Sequence, residues 1–363
     1  MKAWQFHTLE DWRLEDVPDP KPGPGEVVVR VRVVQPSVTE VVRRALGPTP
    51  GVDKIPQLLK ERAPRRFFGH EWSGDVVAVG QGVTAFKPGE RVAAITSRPP
   101  CRKCYFCREG KEELCHTGGQ VGIDIPGCFA QYAALPQDCI IHIPDSLDYN
   151  EGATIQPLHT CMTSVSVANI ELGDTIAILG QGVMGLGTLQ IARASGAGTI
   201  ITTDIRDANI KLSRQLGADH VINAAKDDPV AAIRELTGGV GPDIVYDAAS
   251  GSPEQGLSGF ETFKQAVQVV RDAGKVVQIA LVTGPLPVET GFVRRKNIQL
   301  MWPGSIPHKQ ERHIVYLVST GRVTPKLLIN KTLKGLENAP EAFTITGNKA
   351  AYGAINPCQV VVA

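Results

Sequence analysis

Thr175-Ile176-Ala177-Ile178-Leu179-Gly180-Gln181-Gly182-Val183-Met184-Gly185-Leu186-Gly187 is the stretch that decides the fold. Its first five residues carry no charge and have the length of a buried strand, and they run straight into G-x-G-x-x-G. Gly180 permits the tight turn, Gly182 lets the backbone approach a pyrophosphate, and Gly185 lets the next helix pack against the strand. Val183 and Met184 open that helix, whose free N–H groups and positive dipole end favour phosphate. Thr199–Thr203 reads as a second strand that ends in Asp204, 19 residues beyond Gly185. A carboxylate there accepts hydrogen bonds from a ribose 2′-hydroxyl and repels a 2′-phosphate, so the expected cofactor is NAD rather than NADP. Arg206, two residues on, would soften that preference. The competing reading is a packing turn with an incidental surface Asp.

Outward from this stretch, strand and helix alternate. Val183–Ser195, Asn209–Leu216, Val230–Leu236 and Phe263–Arg271 read as helices, and Val221–Asn223, Asp243–Asp247 and Lys275–Leu281 as strands. Repeated βα units imply a doubly wound parallel sheet and an α/β class. Toward the N-terminus, residues 1–157 are rich in Pro, Gly and Val. Runs such as Val27–Val34 and Asp75–Val79 are broken by turn signals at Pro22-Gly23-Pro24-Gly25 and Lys87-Pro88-Gly89-Glu90, a β-rich pattern. Glu151–Ile170 turns helical. The expected division is 1–157, 158–302 for the dinucleotide domain, and 303–363 returning to the first domain with a helix at His308–Ser319 and a last strand at Gln359–Val362.

The chain has 363 residues and a net charge of +1 from 38 basic and 37 acidic side chains. That balance gives no sign of a nucleic-acid surface. The opening MKAWQFHTLEDW lacks the apolar core of a signal peptide, and no apolar run reaches a membrane-spanning length, so a cytoplasmic enzyme is expected. Four of the eight cysteines follow one tight spacing: Cys101-x2-Cys104-x2-Cys107-x7-Cys115. Such a quartet fits a closed tetrahedral zinc site, with disulfides or free thiols as the alternatives.

A third segment, Gly69-His70-Glu71-Trp72-Ser73-Gly74-Asp75-Val76, followed by Lys87-Pro88-Gly89-Glu90-Arg91-Val92, joins the glycine fingerprint and the cysteine quartet. Together they resemble the zinc-containing medium-chain dehydrogenase/reductases, which include alcohol, sorbitol and threonine dehydrogenases. The resemblance implies a GroES-like β-barrel catalytic domain, a Rossmann domain, a cleft between them, and assembly as homodimers or homotetramers. It also implies a second, catalytic zinc in members that oxidise alcohols, and here the pattern breaks. Ser37-Val38-Thr39-Glu40-Val41-Val42 stands at a C-G-[ST]-D-x-H motif, so the ligand Cys is Ser37 and the final His is Val42. A later acidic ligand position reads Gln156. His70 and Glu71 are intact. The expectation is a structural zinc on the cysteine quartet and a catalytic zinc that is lost or weakened, leaving Ser37, Thr39, His70, Glu71 and Gln156 as the catalytic candidates. His159 is a further polar residue close by, with a packing role as its alternative.

The leading functional expectation is an NAD-dependent oxidoreductase interconverting a secondary alcohol and a ketone. The alternatives are a reductase of an activated C=C bond and a non-catalytic dinucleotide-binding protein. Residues 43–66 hold Arg43, Arg44, Lys54, Lys60, Arg62, Arg65 and Arg66 against Asp53 and Glu61. That excess suits either an anionic substrate or a solvated surface.

Overall fold

The computed structural model describes residues 1–46, 54–251, 259–282, 285–303 and 308–362. The chain divides into two compact units. The first comprises Met1–His159, Pro307–Ser319 and Leu328–Ala363, and the second Thr160–Ile306 and Thr320–Leu327.

The first unit contains β1 (Lys2–Phe6), β2 (Trp12–Asp16), β3 (Glu26–Gln35), α1 (Val38–Leu46), α2 (Ile55–Glu61), β4 (Glu71–Val79), β5 (Arg91–Ala94), α3 (Tyr105–Arg108), β6 (Tyr132–Pro136), β7 (Ile140–His142) and α4 (Tyr149–Gly152). α5 (Ile155–Ala168) contains the boundary between the units. β3 is the spine of the sheet. β4 runs antiparallel along one edge, with register shifts at Val28/Val29 and Val31/Val33. On the other edge β6 pairs with Glu26–Arg30, and the last strand of the chain pairs with Val33 and Val34. Bulges bend and twist a strand, and a ten-residue strand carrying two such shifts curves the sheet round its core.

The second unit contains β8 (Thr175–Leu179), α6 (Val183–Ala194), β9 (Thr199–Asp204), α7 (Asp207–Gln215), β10 (His220–Asn223), α8 (Pro229–Leu236), β11 (Ile244–Asp247), α9 (Glu261–Val269), β12 (Lys275–Gln278), α10 (Thr290–Arg295) and β13 (Gln299–Met301). All six strands are parallel, in the order β10-β9-β8-β11-β12-β13. The order reverses at β8, and in such sheets ligands bind beyond the carboxyl ends of the strands at that point. β8 is buried along almost its whole length, as a strand covered on both faces must be. The short edge strand β13 and helix α10 were not anticipated from the sequence. Three residues carry too little periodicity to read.

After these come α11 (His308–Ser319), β14 (Thr332–Lys334), α12 (Ala339–Gly347) and β15 (Gln359–Val361). The tail 303–363 does not return as one piece. Residues Thr320–Leu327 stay with the second unit, where the Thr324 N–H and hydroxyl donate to Gln190 Oε1 on α6 at 2.7 and 3.1 Å and Val323 is fully buried. The helical run read from Glu151 is two helices. The first, α4, starts two residues earlier because Asp148 and Glu151 form a reciprocal capping box.

The core of the first unit is aromatic and joins distant parts of the chain. Phe343 of α12 lies with its ring 5.2 Å from Trp12, 5.8 Å from Phe68 and 5.2 Å from Phe129, and is 1% exposed. Phe343→Ala is expected to destabilise this unit by about 3–5 kcal/mol. Urea unfolding followed by tryptophan fluorescence checks it, since Trp4, Trp12 and Trp72 all lie in the first unit.

Candidate active site and metal centre

Helix α1 begins with a reciprocal cap. Ser37 Oγ accepts from Glu40 N at 3.1 Å, and Glu40 Oε2 accepts from Ser37 N at 3.1 Å. This is the S-x-x-E capping box, and it satisfies two backbone donors at the helix start. Ser37, expected at the site as the counterpart of a ligand cysteine, is therefore engaged as a helix cap. Its Oγ also lies 2.9 Å from Thr39 Oγ1, so the two hydroxyls share a hydrogen bond. Thr39 is half-buried.

The other oxygen of Glu40 reaches the turn before β4. Glu40 Oε1 accepts from Gly69 N at 2.8 Å, from His70 N at 3.3 Å, and lies 2.5 Å from His70 Nδ1. Gly69 has φ +81°, and a Cβ there would sit 2.9 Å from the backbone nitrogens of Cys128 and Phe129, so the turn admits only glycine. With Nδ1 bonded to a carboxylate, the His70 ring orientation is fixed and Nε2 is the nitrogen left to exchange a proton. Burial pulls the imidazole pKa down. The charge of Glu40, the hydrogen bond to it and the charge of Glu71 together outweigh burial, so the pKa rises above its ordinary value. Glu40 was not singled out in the sequence. Its signal was present in the Ser37-x-x-Glu40 spacing.

Glu71 faces a different network. Gln35 Nε2 donates to Glu71 Oε2 at 2.5 Å, and Gln35 Oε1 accepts from Asn356 Nδ2 and Gln359 Nε2, each at 2.9 Å. Gln35, Asn356 and Gln359 are all buried. Burial, reinforced by the Glu40 charge, pushes the Glu71 carboxyl up to about 7 against the pull of His70, Gln35 and Lys349. No sequence signal marked Gln35, which closes the valine-rich strand β3. Gln156 lies half-buried on the first turn of α5. His159, one turn on, is buried with Nε2 3.8 Å from Glu311 Oε1.

In the second unit the glycine turn has a distinct reason at each position. Gly180 has φ +90°, and a Cβ there would meet Ala249 Cβ at 2.5 Å. A Cβ on Gly185 would sit 1.8 Å from Gly180 O. Around Gly182 nothing lies within 4 Å of that position, so open space fronts the helix start. Gly182 is the N-cap of α6 and has no side-chain cap, which leaves the first turn, Val183 and Met184, to an anion. Asp204, at the end of β9, is fixed by three donors: Gln181 N at 2.6 Å, Arg206 N at 2.8 Å and Asn209 Nδ2 at 3.1 Å. Arg206 is half-buried. This donor set fits a dinucleotide with its pyrophosphate at the turn and a ribose at Asp204.

The four cysteines converge. Their Sγ atoms lie within 4.8 Å of one another, with Cys104–Cys107 at 3.5 Å and Cys101–Cys107 at 4.0 Å. Sulfurs on a tetrahedral zinc stand about 3.8 Å apart, given Zn–S bonds of about 2.3 Å. Cys101 Sγ accepts from Thr117 Oγ1 at 2.9 Å and Cys104 N at 3.3 Å, and Cys115 Sγ from Cys101 N at 3.2 Å. Such donors favour thiolates, and the residues fit zinc. Among the described residues no other group of three or more His, Cys, Asp or Glu has its ligand atoms so close together.

Residues 23–145 match the alcohol dehydrogenase GroES-like domain, and residues 183–314 match the zinc-binding dehydrogenase family. Sorbitol dehydrogenase of Bacillus subtilis is 30% identical over 331 residues, spanning 91% of this chain and 89% of that one. The structure of 2R,3R-butanediol dehydrogenase from Bacillus subtilis superposes with a TM-score of 0.81 at 25% identity, covering 99% of each chain. A Sinorhizobium meliloti chain solved with NADP bound gives a TM-score of 0.83 at 28% identity, covering 99% of this chain and 98% of that one. Among the described residues no helix is long and apolar enough to cross a membrane. Two domain matches in one chain, and full-length likeness to dehydrogenases, make this a member of the zinc-type medium-chain alcohol dehydrogenase family, an alcohol dehydrogenase-like oxidoreductase of nicotinamide and zinc type.

Proposed function

We propose that the chain is an NAD-dependent dehydrogenase that interconverts a secondary alcohol and a ketone, with structural zinc on Cys101, Cys104, Cys107 and Cys115 and no tightly held catalytic zinc. The observation that carries this reading is the buried Glu40–His70 pair, with the Glu40 carboxylate also bonded to the Ser37 backbone N–H and the Ser37 hydroxyl beside that of Thr39. Relatives that act on sorbitol and butanediol support an alcohol as the substrate over an activated C=C bond.

The nicotinamide ring supplies the hydride acceptor. The remaining work belongs to the chain. Ser37 and Thr39 share a hydroxyl hydrogen bond, and the Thr39 hydroxyl in turn orients the substrate oxygen. His70 Nε2 takes the substrate proton as general base, and Glu40 stabilises the imidazolium that results. The Gly180–Gly185 turn and the start of α6 hold the pyrophosphate, and Asp204 takes the ribose hydroxyls. A catalytic zinc of the usual kind needs three protein ligands. Here Ser37 is capping a helix, Glu71 is bonded to Gln35, and Gln156 is neutral, so the expected co-ligands of His70 are engaged elsewhere or uncharged.

Metal analysis of the pure protein is expected to return one zinc per chain, lost in Cys104→Ala and kept in His70→Asn. Two zincs per chain would overturn the reading. Glu40→Gln should lower kcat/KM for alcohol oxidation by about ten- to a hundredfold. It should also move the acid limb of the pH profile downward. The base form of His70 is active, the Glu40 charge raises its pKa, and removing that charge lets the base form persist to lower pH. An unmoved acid limb would remove His70 from the role of base. For the cofactor, kcat/KM with NAD should exceed that with NADP, and Asp204→Ser should cut the ratio by about tenfold or more, the worth of one lost interaction. A ratio unchanged in Asp204→Ser would assign the preference elsewhere.

A further inference from the structure

The structure sorts the basic residues of 43–66, with 47–53, and hence Asp53, outside the described residues. The Arg44 guanidinium lies over the rings of Trp12 and Phe343 at 4.8 and 5.8 Å, a packing role. Lys54 Nζ sits 3.6 Å from Asp124 Oδ1. Lys60 is exposed on α2. Arg62, Arg65 and Arg66 do something else: they line one cavity of about 270 Å³, walled also by Gln5, Pro64 and Pro126.

The wall is anchored. Phe6 and Arg65 exchange two backbone hydrogen bonds at 2.8 and 3.0 Å, and the following Phe67 and Phe68 are fully buried. Arg65 Nη2 donates to Asp124 O and Arg66 Nη1 to Tyr132 O, each at 3.2 Å. Each guanidinium has five N–H donors. Among the described residues no carboxylate lies within 4.0 Å of any of the three. Burial lowers the Arg66 pKa, yet a guanidinium stays charged at any physiological pH. Arg62 is exposed, Arg65 and Arg66 are half-buried, and Arg65 also lies over the Phe67 ring at 5.9 Å; among the described residues these cations lack the counter-charge that a structural ion pair supplies.

We propose that this cavity binds phosphate, free or as a small phosphate monoester, through the forked guanidiniums of Arg62, Arg65 and Arg66. The site shares no residue with the reaction site proposed above, so it stands or falls separately. A phosphate dianion matches three planar forks in charge and in bidentate geometry. The cavity leaves room for a short organic body beside the phosphate.

The test uses the zinc-loaded protein saturated with NADH, which occupies the glycine turn, and inorganic phosphate as the probe. Phosphate should raise the unfolding temperature saturably and beyond chloride of equal ionic strength. Arg62→Ala, at an exposed position, should weaken the apparent affinity by roughly ten- to a hundredfold. Arg66→Lys, which keeps the charge and loses the fork, should also weaken it, and Lys60→Ala should not. Competition between phosphate and the alcohol substrate, lost in Arg62→Ala, would mean that the phosphate belongs to the substrate. Binding without competition would mean a separate ligand. A wild-type response no larger than that of chloride, or both arginine variants binding as the wild type does, would overturn the proposal.

Discussion

The Glu40 carboxylate is the constraint on which the proposed reaction site rests. It is 1% exposed, and both its oxygens are committed. One closes the start of α1 through Ser37, and the other receives two backbone N–H groups and the imidazole of the Gly69-His70 turn. A buried carboxylate without such donors would be costly. With them it locks a helix start, a left-handed glycine turn and a histidine ring into one arrangement. The second unit uses the same device. Asp204 accepts from Gln181 N within the glycine turn and from Arg206 N beyond β9, so a side-chain carboxylate again fixes the loop at a strand end.

Charge balance around His70 follows from this arrangement. Two buried carboxylates, Glu40 and Glu71, act on one imidazole. They cannot both ionise cheaply in a desolvated site unless His70 carries its proton. Burial above all, with a smaller push from the Glu40 charge, raises the Glu71 carboxyl to about 7.

Much of this could be read in the sequence where a residue has one possible reason. The strand Thr175–Leu179 and helix His308–Ser319 have the bounds their patterns imply, because sustained burial on one or both faces leaves a long signature. The cysteine quartet and the glycine turn were legible because metal geometry and phosphate approach dictate spacing. β13 and α10 were not, since short edge elements take their conformation from neighbours. Residues 320–327 were misassigned because a pair of hydrogen bonds from Thr324 to Gln190, 134 positions away, decides where they sit. Glu40 and Gln35 escaped for the same reason. Their partners at the Gly69-His70 turn and at Glu71 lie some thirty residues away or more, and the one local mark, the Ser37-x-x-Glu40 spacing, points to a helix cap and not to His70.

The same distance dependence explains how a depleted ligand set can be self-consistent. Serine caps a helix through its hydroxyl, a task for which a thiol is a poor substitute. At position 37 the hydroxyl therefore supports α1 directly. Gln35 gives Glu71 a neutral amide donor, and Asn356 and Gln359 satisfy the amide oxygen in turn. In the proposed reading, Ser37 and Glu71, two positions expected to face a cation, are answered by hydrogen bonds from within the chain. A half-satisfied buried network would be worse than none. Gln35, Ser37 and Glu40 are therefore best understood together, as buried polar partners arranged around His70 and Glu71.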